Sequence, residues 1–202
     1  MISYIVAVND GNTFEMNLNI SWSKVDAGDE LITVSHQDSI AKAYNLGIKQ
    51  STQPIKCFIH QDVIILDPPK LYECLRRYCT HDVGMVGVIG TVDGYAVPWW
   101  NGNEHIGSVV DPTFGLYIFG TDGGECAFLD GLLLATVQDI QFDESYPGFH
   151  FYDQDICKSM LSRGLPNYCL PMGHRLVVHN AKSKPDSLEP YIQQYNQKWN
   201  LK

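Results

Sequence analysis

Lys56-Cys57-Phe58-Ile59-His60-Gln61-Asp62-Val63-Ile64-Ile65-Leu66 is an apolar run that breaks for three polar residues and then resumes. Its flanks read as buried strand. A polar triplet leaving a buried strand needs partners at the strand's end, because desolvating an unpaired carboxylate or imidazole is costly. A metal ion, a phosphate or a buried ion pair can supply them. In open α/β sheets ligands bind at the carboxyl ends of the strands, so the break lies where chemistry is expected, and a metal or nucleotide-sugar site is the first expectation.

Toward the N-terminus, residues 2–8 form an apolar run stopped by Asn9-Asp10-Gly11, a first strand ending in a polar loop. Phe14, Leu18 and Trp22 recur every four residues, which predicts a helix over 13–22 with one face on the sheet. Residues 30–35 give a second strand, and His36 to Ser39 a polar connection. A helix follows in which Ile40, Ala43, Tyr44 and Ile48 share a face. On the other side of the triplet, Asp67-Pro68-Pro69 opens a helix over 69–79, since a helix's first amides need no partner. Gly alternates with Val, Met and Ile over 83–89, which suits a buried strand with close backbone approach. This alternation of strands and helices predicts an α/β fold, with a mostly parallel central sheet and helices on both faces.

From 90 to 125 no helical period survives. The pattern through Ile106, Val109 and Val110 is too brief to assign, and Thr113 to Phe119 reads as a hairpin arm. Long irregular segments are often functional, so a lid or an acceptor-binding region is expected here. Trp99 and Trp100 either stack on a sugar ring or anchor this loop to the core. Residues 125–137 read as a strand around Asp130-Gly131. A helix over 156–163 is ended by Gly164, and strands over 167–170 and 175–178 lead to His179-Asn180. Leu188, Tyr191, Ile192, Tyr195 and Trp199 predict a closing amphipathic helix.

With 202 residues, 45% hydrophobic and 18% charged, the chain fits one domain over 1–202 with a substantial core. The 14 Lys plus Arg against 23 Asp plus Glu give a net charge of -9 and no basic cluster, which argues against nucleic acid or an anionic membrane as main partner. A phosphate-bearing ligand would then need a divalent cation held by carboxylates. The 6 cysteines form no Cys-x-x-Cys pair and read as reduced core thiols. With no signal peptide pattern and no run of membrane-spanning length, a cytoplasmic location is the expectation, though a partner could still hold the chain at a membrane.

In this order the pieces resemble the family 2 glycosyltransferases of the GT-A fold, and more narrowly a short bacterial glycosyltransferase-like branch. The resemblance spans nearly the whole chain. It rests on Ile5-Val-Ala-Val-Asn9, the Ala41-x-x-x-Asn45-x-Gly47 helix, Phe58-Ile-His-Gln-Asp-Val63, Leu129-Asp-Gly131, Phe142-Asp-Glu144, Tyr152-Asp-Gln-Asp-Ile156, Gly164 and His179. It implies transfer of a hexose-type residue from a nucleotide-sugar donor, UDP-linked by expectation, to a glycan or lipid-linked acceptor, as in polysaccharide biosynthesis. The family's metal strand usually ends in Asp-x-Asp, whose carboxylates bind Mg²⁺ or Mn²⁺; here His60 stands at the first position and Asp62 at the second. By resemblance, Asp62 is the main ligand, with His60 and His179 beside it, and the nitrogen ligand favours Mn²⁺ over Mg²⁺. The other reading of His60 is a hydrogen bond within the strand's end.

The resemblance makes Asp153 the catalytic base, with Tyr152 where an acid is usual, while Asp155 caps the helix. Asn9, Asp10, Asp38, Asn45 and Asp62 fall on the donor side, although Asn45 can equally hold a helix to a loop. Trp99, Trp100, Asp130, Asp143 and Glu144 fall on the acceptor side, the last two standing equally well for a solvated turn. Two other classes compete with a transferase: a catalytically weak sugar- or nucleotide-binding module, and a metal-dependent phosphoesterase using His60, Asp62 and His179.

Overall fold

The computed structural model describes residues 1–113, 115–181 and 187–201. Strand β1 (Ile2–Val8) pairs in parallel with β2 (Glu30–Ser35) and β3 (Ile55–Ile59), which sets Ile5 level with Ile32 and Phe58. Between β1 and β2, helix α1 (Gly11–Phe14) starts where the Asp10 carboxylate accepts the amides of Asn12 and Thr13, and it runs on as a π-helical turn over Glu15–Asn19. Helix α2 (Ile40–Gln50) is capped by Ser39, whose hydroxyl accepts Lys42 N.

Strand periodicity turns Tyr4 and Ile5 to opposite faces of the sheet. Tyr4 meets Trp22 edge-on at 6.0 Å, just beyond α1. Ile5 lies so close to Gly47 of α2 that any Cβ there would overlap its methyl group. Helices therefore cover both faces, and α2 seats against β1 because position 47 carries no side chain.

After β3 the triplet turns the chain, and β4 (Val63–Ile65) resumes in a different sheet. Helix α3 (Pro68–Tyr78) follows, and then the stretch expected as one strand over 83–89 divides into β5 (Val86–Gly87) and β6 (Ile89–Thr91), again in different sheets. The weak pattern at Ile106 to Val110 belongs to a seven-residue strand, β7 (His105–Asp111), which forms a hairpin with β8 (Gly115–Ile118). Phe114, within the expected arm, lies outside the described residues. Strands β9 (Gly124–Cys126), β10 (Phe128–Leu129) and β11 (Leu133–Thr136) come next. Asp130-Gly131, expected inside a strand, is the turn that carries the chain from β10 back to β11.

Helix α4 (Tyr152–Ser162) starts four residues before the expected Ile156, because Phe151 takes a left-handed conformation at φ 65° and swings the chain into it. Asp153 and Asp155 sit in its first turn, where the helix dipole favours acids. Strands β12 (Asn167–Cys169) and β13 (Val177–His179) and helix α5 (Glu189–Trp199) complete the chain.

One sheet runs β2-β1-β3-β11-β5-β12-β9 and the other β10-β6-β7-β13-β4, with β8 on β7. The α/β architecture is as expected, but the larger sheet is mixed, with three parallel and three antiparallel pairings. The alternation of strand and helix ends at α3, and from β5 to β11 the strands follow one another without a crossover α-helix, the device that parallel neighbours need. All six cysteines are buried and free, as their scattered spacing predicted.

Candidate functional site

Two of the places where the chain changes sheets, His60 to Asp62 and Asp130 to Leu132, lie on one cleft of about 1060 Å³. His60 N donates to Leu132 O at 3.0 Å, and Val63 N to His60 O at 3.2 Å, which makes the triplet a tight turn beside β11. Antiparallel pairing of β13 on β4 sets His179 level with Val63, and Asn180 N donates to Asp62 O at 2.9 Å. Register thus delivers His179 to Asp62. Ligand atoms of His60, Asp62 and His179 all lie within 4.8 Å of one another. His179 Nε2 stands 3.5 Å and His60 Nδ1 4.0 Å from Asp62 Oδ1. Among the described residues that buried oxygen accepts no hydrogen bond, since 3.5 Å is ion-pair range at the long limit of a hydrogen bond.

The electrostatics suit a cation. Burial lowers the pKa of His60 and outweighs the pull of Asp62, so the ring is held neutral, as a ligand must be. Burial works the same way on His179, but Asp62, Asp130 and Asp111 outweigh it and raise its pKa. For Asp62 burial works upward, yet the two histidines hold its carboxyl below the usual range. Two imidazoles and a carboxylate with an unpartnered oxygen form a donor set that fits a divalent ion.

Beside the cluster, Asp153 opens α4, joined to it through Gly131 and the Tyr152 hydroxyl that meets His60. Its Oδ2 accepts Gly131 N at 3.0 Å and its Oδ1 accepts Gln154 N at 2.8 Å. Burial first, and Asp130 second, push its pKa up to about 7. Gly131 leaves the room for this approach, because a Cβ there would overlap the Tyr152 hydroxyl. A carboxyl poised near neutrality beside open space can take a proton from a hydroxyl.

Other expected residues divide between the cleft and the scaffold. Asn9, Asp10, Trp99, Trp100 and Asp130 line the cleft. Gln61 Oε1 accepts the amides of Asn9 at 3.0 Å and Asp10 at 3.1 Å, tying the end of β1 to the triplet. Trp99 satisfies both of its readings: it is buried, its amide donates to Gln154 Oε1 at 3.0 Å, and it still faces the cleft. Trp100 is half exposed. Asp38 sits outside the cleft, paired with Lys42 at 2.9 Å. Asp143 and Glu144 are also outside it, the first bonded to Lys198 Nζ at 2.6 Å and the second to Asn45 Nδ2 at 2.8 Å. Asp155 does not cap α4; buried in the first turn, it accepts Lys198 Nζ and Trp199 Nε1, both at 2.8 Å, and fastens α5 to α4.

Asn45 takes the second of its two readings. Buried on α2, it accepts Phe142 N at 2.9 Å and donates to Phe142 O at 2.9 Å. Asn45→Ala should lower stability by about 2–4 kcal/mol, because two buried backbone groups lose their partner. Urea unfolding measures it, and nucleotide affinity should stay unchanged.

Among the cleft residues that the sequence reading did not single out as participants are Asp111, Tyr117, Phe119 and His105. The signal for Asp111 was an acid closing an apolar run, the same signature as Asp62. His105 stacks on Phe119 at 4.8 Å and Phe119 on Tyr117 at 6.1 Å, and His105 meets Trp99 edge-on at 6.0 Å, so the hairpin arm continues the aromatic wall of Trp99 along the cleft.

The profile described as "Glycosyltransferase like family" matches residues 3–199. The chain is 29% identical over 160 residues to "Streptomycin biosynthesis protein StrF" of Streptomyces griseus, an alignment covering 74% of this chain and 56% of that protein. The chain therefore spans about half the length of this curated relative. Among solved structures, "Crystal Structure of A197 from STIV" is similar with a TM-score of 0.46 and 11% identity, over 92% of this chain and 97% of that one.

Proposed function

The chain belongs to the glycosyltransferase-like family, and from that premise we propose that it moves a sugar from a nucleotide-sugar donor, UDP-linked by preference, to a hydroxyl of a glycan or lipid-linked acceptor. The observation that carries this reading is the placement of the His60, Asp62 and His179 cluster and the raised carboxyl of Asp153 on one cleft.

Asp62, His60 and His179 would hold Mn²⁺ or Mg²⁺, with Asp62 as the anionic member. When bound, the ion neutralises the charge that builds on the leaving diphosphate. Asn9 and Asp10, fixed by Gln61, offer polar groups beside it for the donor. Asp153 accepts the proton of the attacking hydroxyl at a carboxylate oxygen. Trp99, Trp100, Tyr117 and Phe119 present aromatic faces that suit the apolar face of a sugar ring and keep water from the reacting atoms.

The test is a panel of nucleotide sugars scored for slow donor hydrolysis with Mn²⁺ and with chelator. One donor should be consumed, only in the presence of the ion. If no donor is consumed and UDP fails to bind with or without metal, the chain is a binding module and the transferase reading falls.

A further inference from the structure

Each histidine of the cluster is gripped from behind. His60 Nε2 lies 2.6 Å from the Tyr152 hydroxyl, which in turn donates to Gly131 O at 3.1 Å. A phenol has one proton; given to a carbonyl, it leaves only an acceptor for His60. In that arrangement His60 Nε2 carries the hydrogen, and Nδ1, 4.0 Å from Asp62 Oδ1, is left to act as the ligand atom. On the opposite side, His179 Nδ1 lies 3.4 Å from Asp111 Oδ2. A carboxylate only accepts, so the hydrogen is on Nδ1 and Nε2 faces Asp62 Oδ1. The two imidazoles and the Asp62 carboxylate offer ligand atoms that lie within 4.8 Å of one another.

We propose that Tyr152 and Asp111 are the positioning residues of a two-histidine, one-carboxylate cation site, and that by fixing both imidazole tautomers they make it select a transition-metal dication over Mg²⁺. The inference rests on the cation reading given above and goes beyond it to the choice of ion. Imidazole nitrogen suits first-row transition metals, whereas Mg²⁺ prefers oxygen and parts with its waters reluctantly. Outer partners of this kind fix ring orientation and raise ligand basicity, and their loss typically lowers metal affinity about 10–100-fold.

Calorimetry on the full chain without nucleotide, with Mg²⁺, Mn²⁺ and Co²⁺ in turn, tests the proposal, and the visible band of Co²⁺ reports the ligand set. Wild type should bind Co²⁺ and Mn²⁺ at least about tenfold more tightly than Mg²⁺. Tyr152→Phe keeps the buried ring and removes the hydroxyl; it should weaken Co²⁺ binding about 10–100-fold and shift the band. Asp111→Asn should do the same for a different reason. Asp111 Oδ1 accepts Thr113 N at 2.9 Å, so the Asn oxygen stays there and its NH₂ faces His179 Nδ1, reversing the tautomer. His60→Asp, which no longer needs Tyr152, should narrow the Co²⁺ to Mg²⁺ ratio. Thermal unfolding monitors folding in each variant. Equal affinity for Mg²⁺ and Co²⁺ in wild type, or wild-type Co²⁺ binding by Tyr152→Phe, overturns the proposal while the cation reading stands. Absence of any dication binding by wild type overturns both.

Discussion

Asp62→Asn should remove dication-dependent donor turnover, a loss on the order of a thousand-fold or more, while the protein remains folded. The size follows from what the carboxylate does. It is the anionic member of the cluster, and an ion that stabilises a departing diphosphate is worth several kcal/mol of barrier, with each 1.4 kcal/mol or so a factor of ten. The substitution is nearly isosteric, but an amide offers the ion a dipole where it had a charge. Folding should survive because the local backbone bonds, Asn180 N to Asp62 O and Val63 N to His60 O, do not use the side chain. Asp62 Oδ1 accepts no hydrogen bond that the change would break. Donor hydrolysis with Mn²⁺, read beside a thermal melt, decides it. Turnover within tenfold of wild type in a folded variant would remove Asp62 from the mechanism and with it the meaning of the polar break in the strand.

Much of the scaffold was legible because it obeys a period. Phe14, Leu18 and Trp22 at every fourth residue, and the unbroken apolar run of residues 2–8, each answer to one neighbouring layer, so α1 and β1 appear where the pattern puts them. The failures share a cause as well. At Val88 the chain leaves one sheet for the other, and a run of seven apolar and small residues carries no mark of that change. β7 was invisible for a related reason: His105, Gly107 and Ser108 break its alternation, and its short partner β8 is exposed, so neither face shows a clean hydrophobic stripe.

The site divides along the same line. His60, Asp62 and His179 interrupt or end apolar strands, and a polar group in that position asks for a partner, so the ligand cluster was readable in outline. What could not be read was register. Asp111 reaches His179 only because β13 lies between β7 and β4, with Val178 level with Val110 and His179 level with Val63. That arrangement joins residues 68 positions apart in the chain. Asn45, Asp143 and Glu144 carry the right chemistry, but they spend it holding α2, the turn after β11 and α5 together.

Asp153→Asn should lower the rate of sugar transfer by about 10²–10⁴-fold, the usual loss when a positioned general base is removed. Donor binding should be left nearly intact, because Asp153 is not a member of the ion cluster. The companion variant, Asp130→Asn, separates proton transfer from mere disruption. Asp130 Oδ1 accepts Leu132 N at 2.9 Å, and an Asn oxygen can keep that bond while the charge disappears. Burial and then Asp130 hold the Asp153 carboxyl up at about 7, so removing the Asp130 charge leaves burial alone and the pKa falls. The sign for stability follows from linkage. A carboxyl whose folded pKa is raised binds its proton more tightly in the native state, so its contribution is full at low pH and is lost as pH rises through about 7. Above that pH Asp153 is charged beside Asp130, and Asp130→Asn should be the more stable protein there, the gain vanishing toward pH 4. Carboxyl ¹³C shifts followed by NMR read the titration directly in the ion-free protein. An Asp153 titration unmoved by Asp130→Asn would show that burial alone sets it, and the two acids would then not act as a pair.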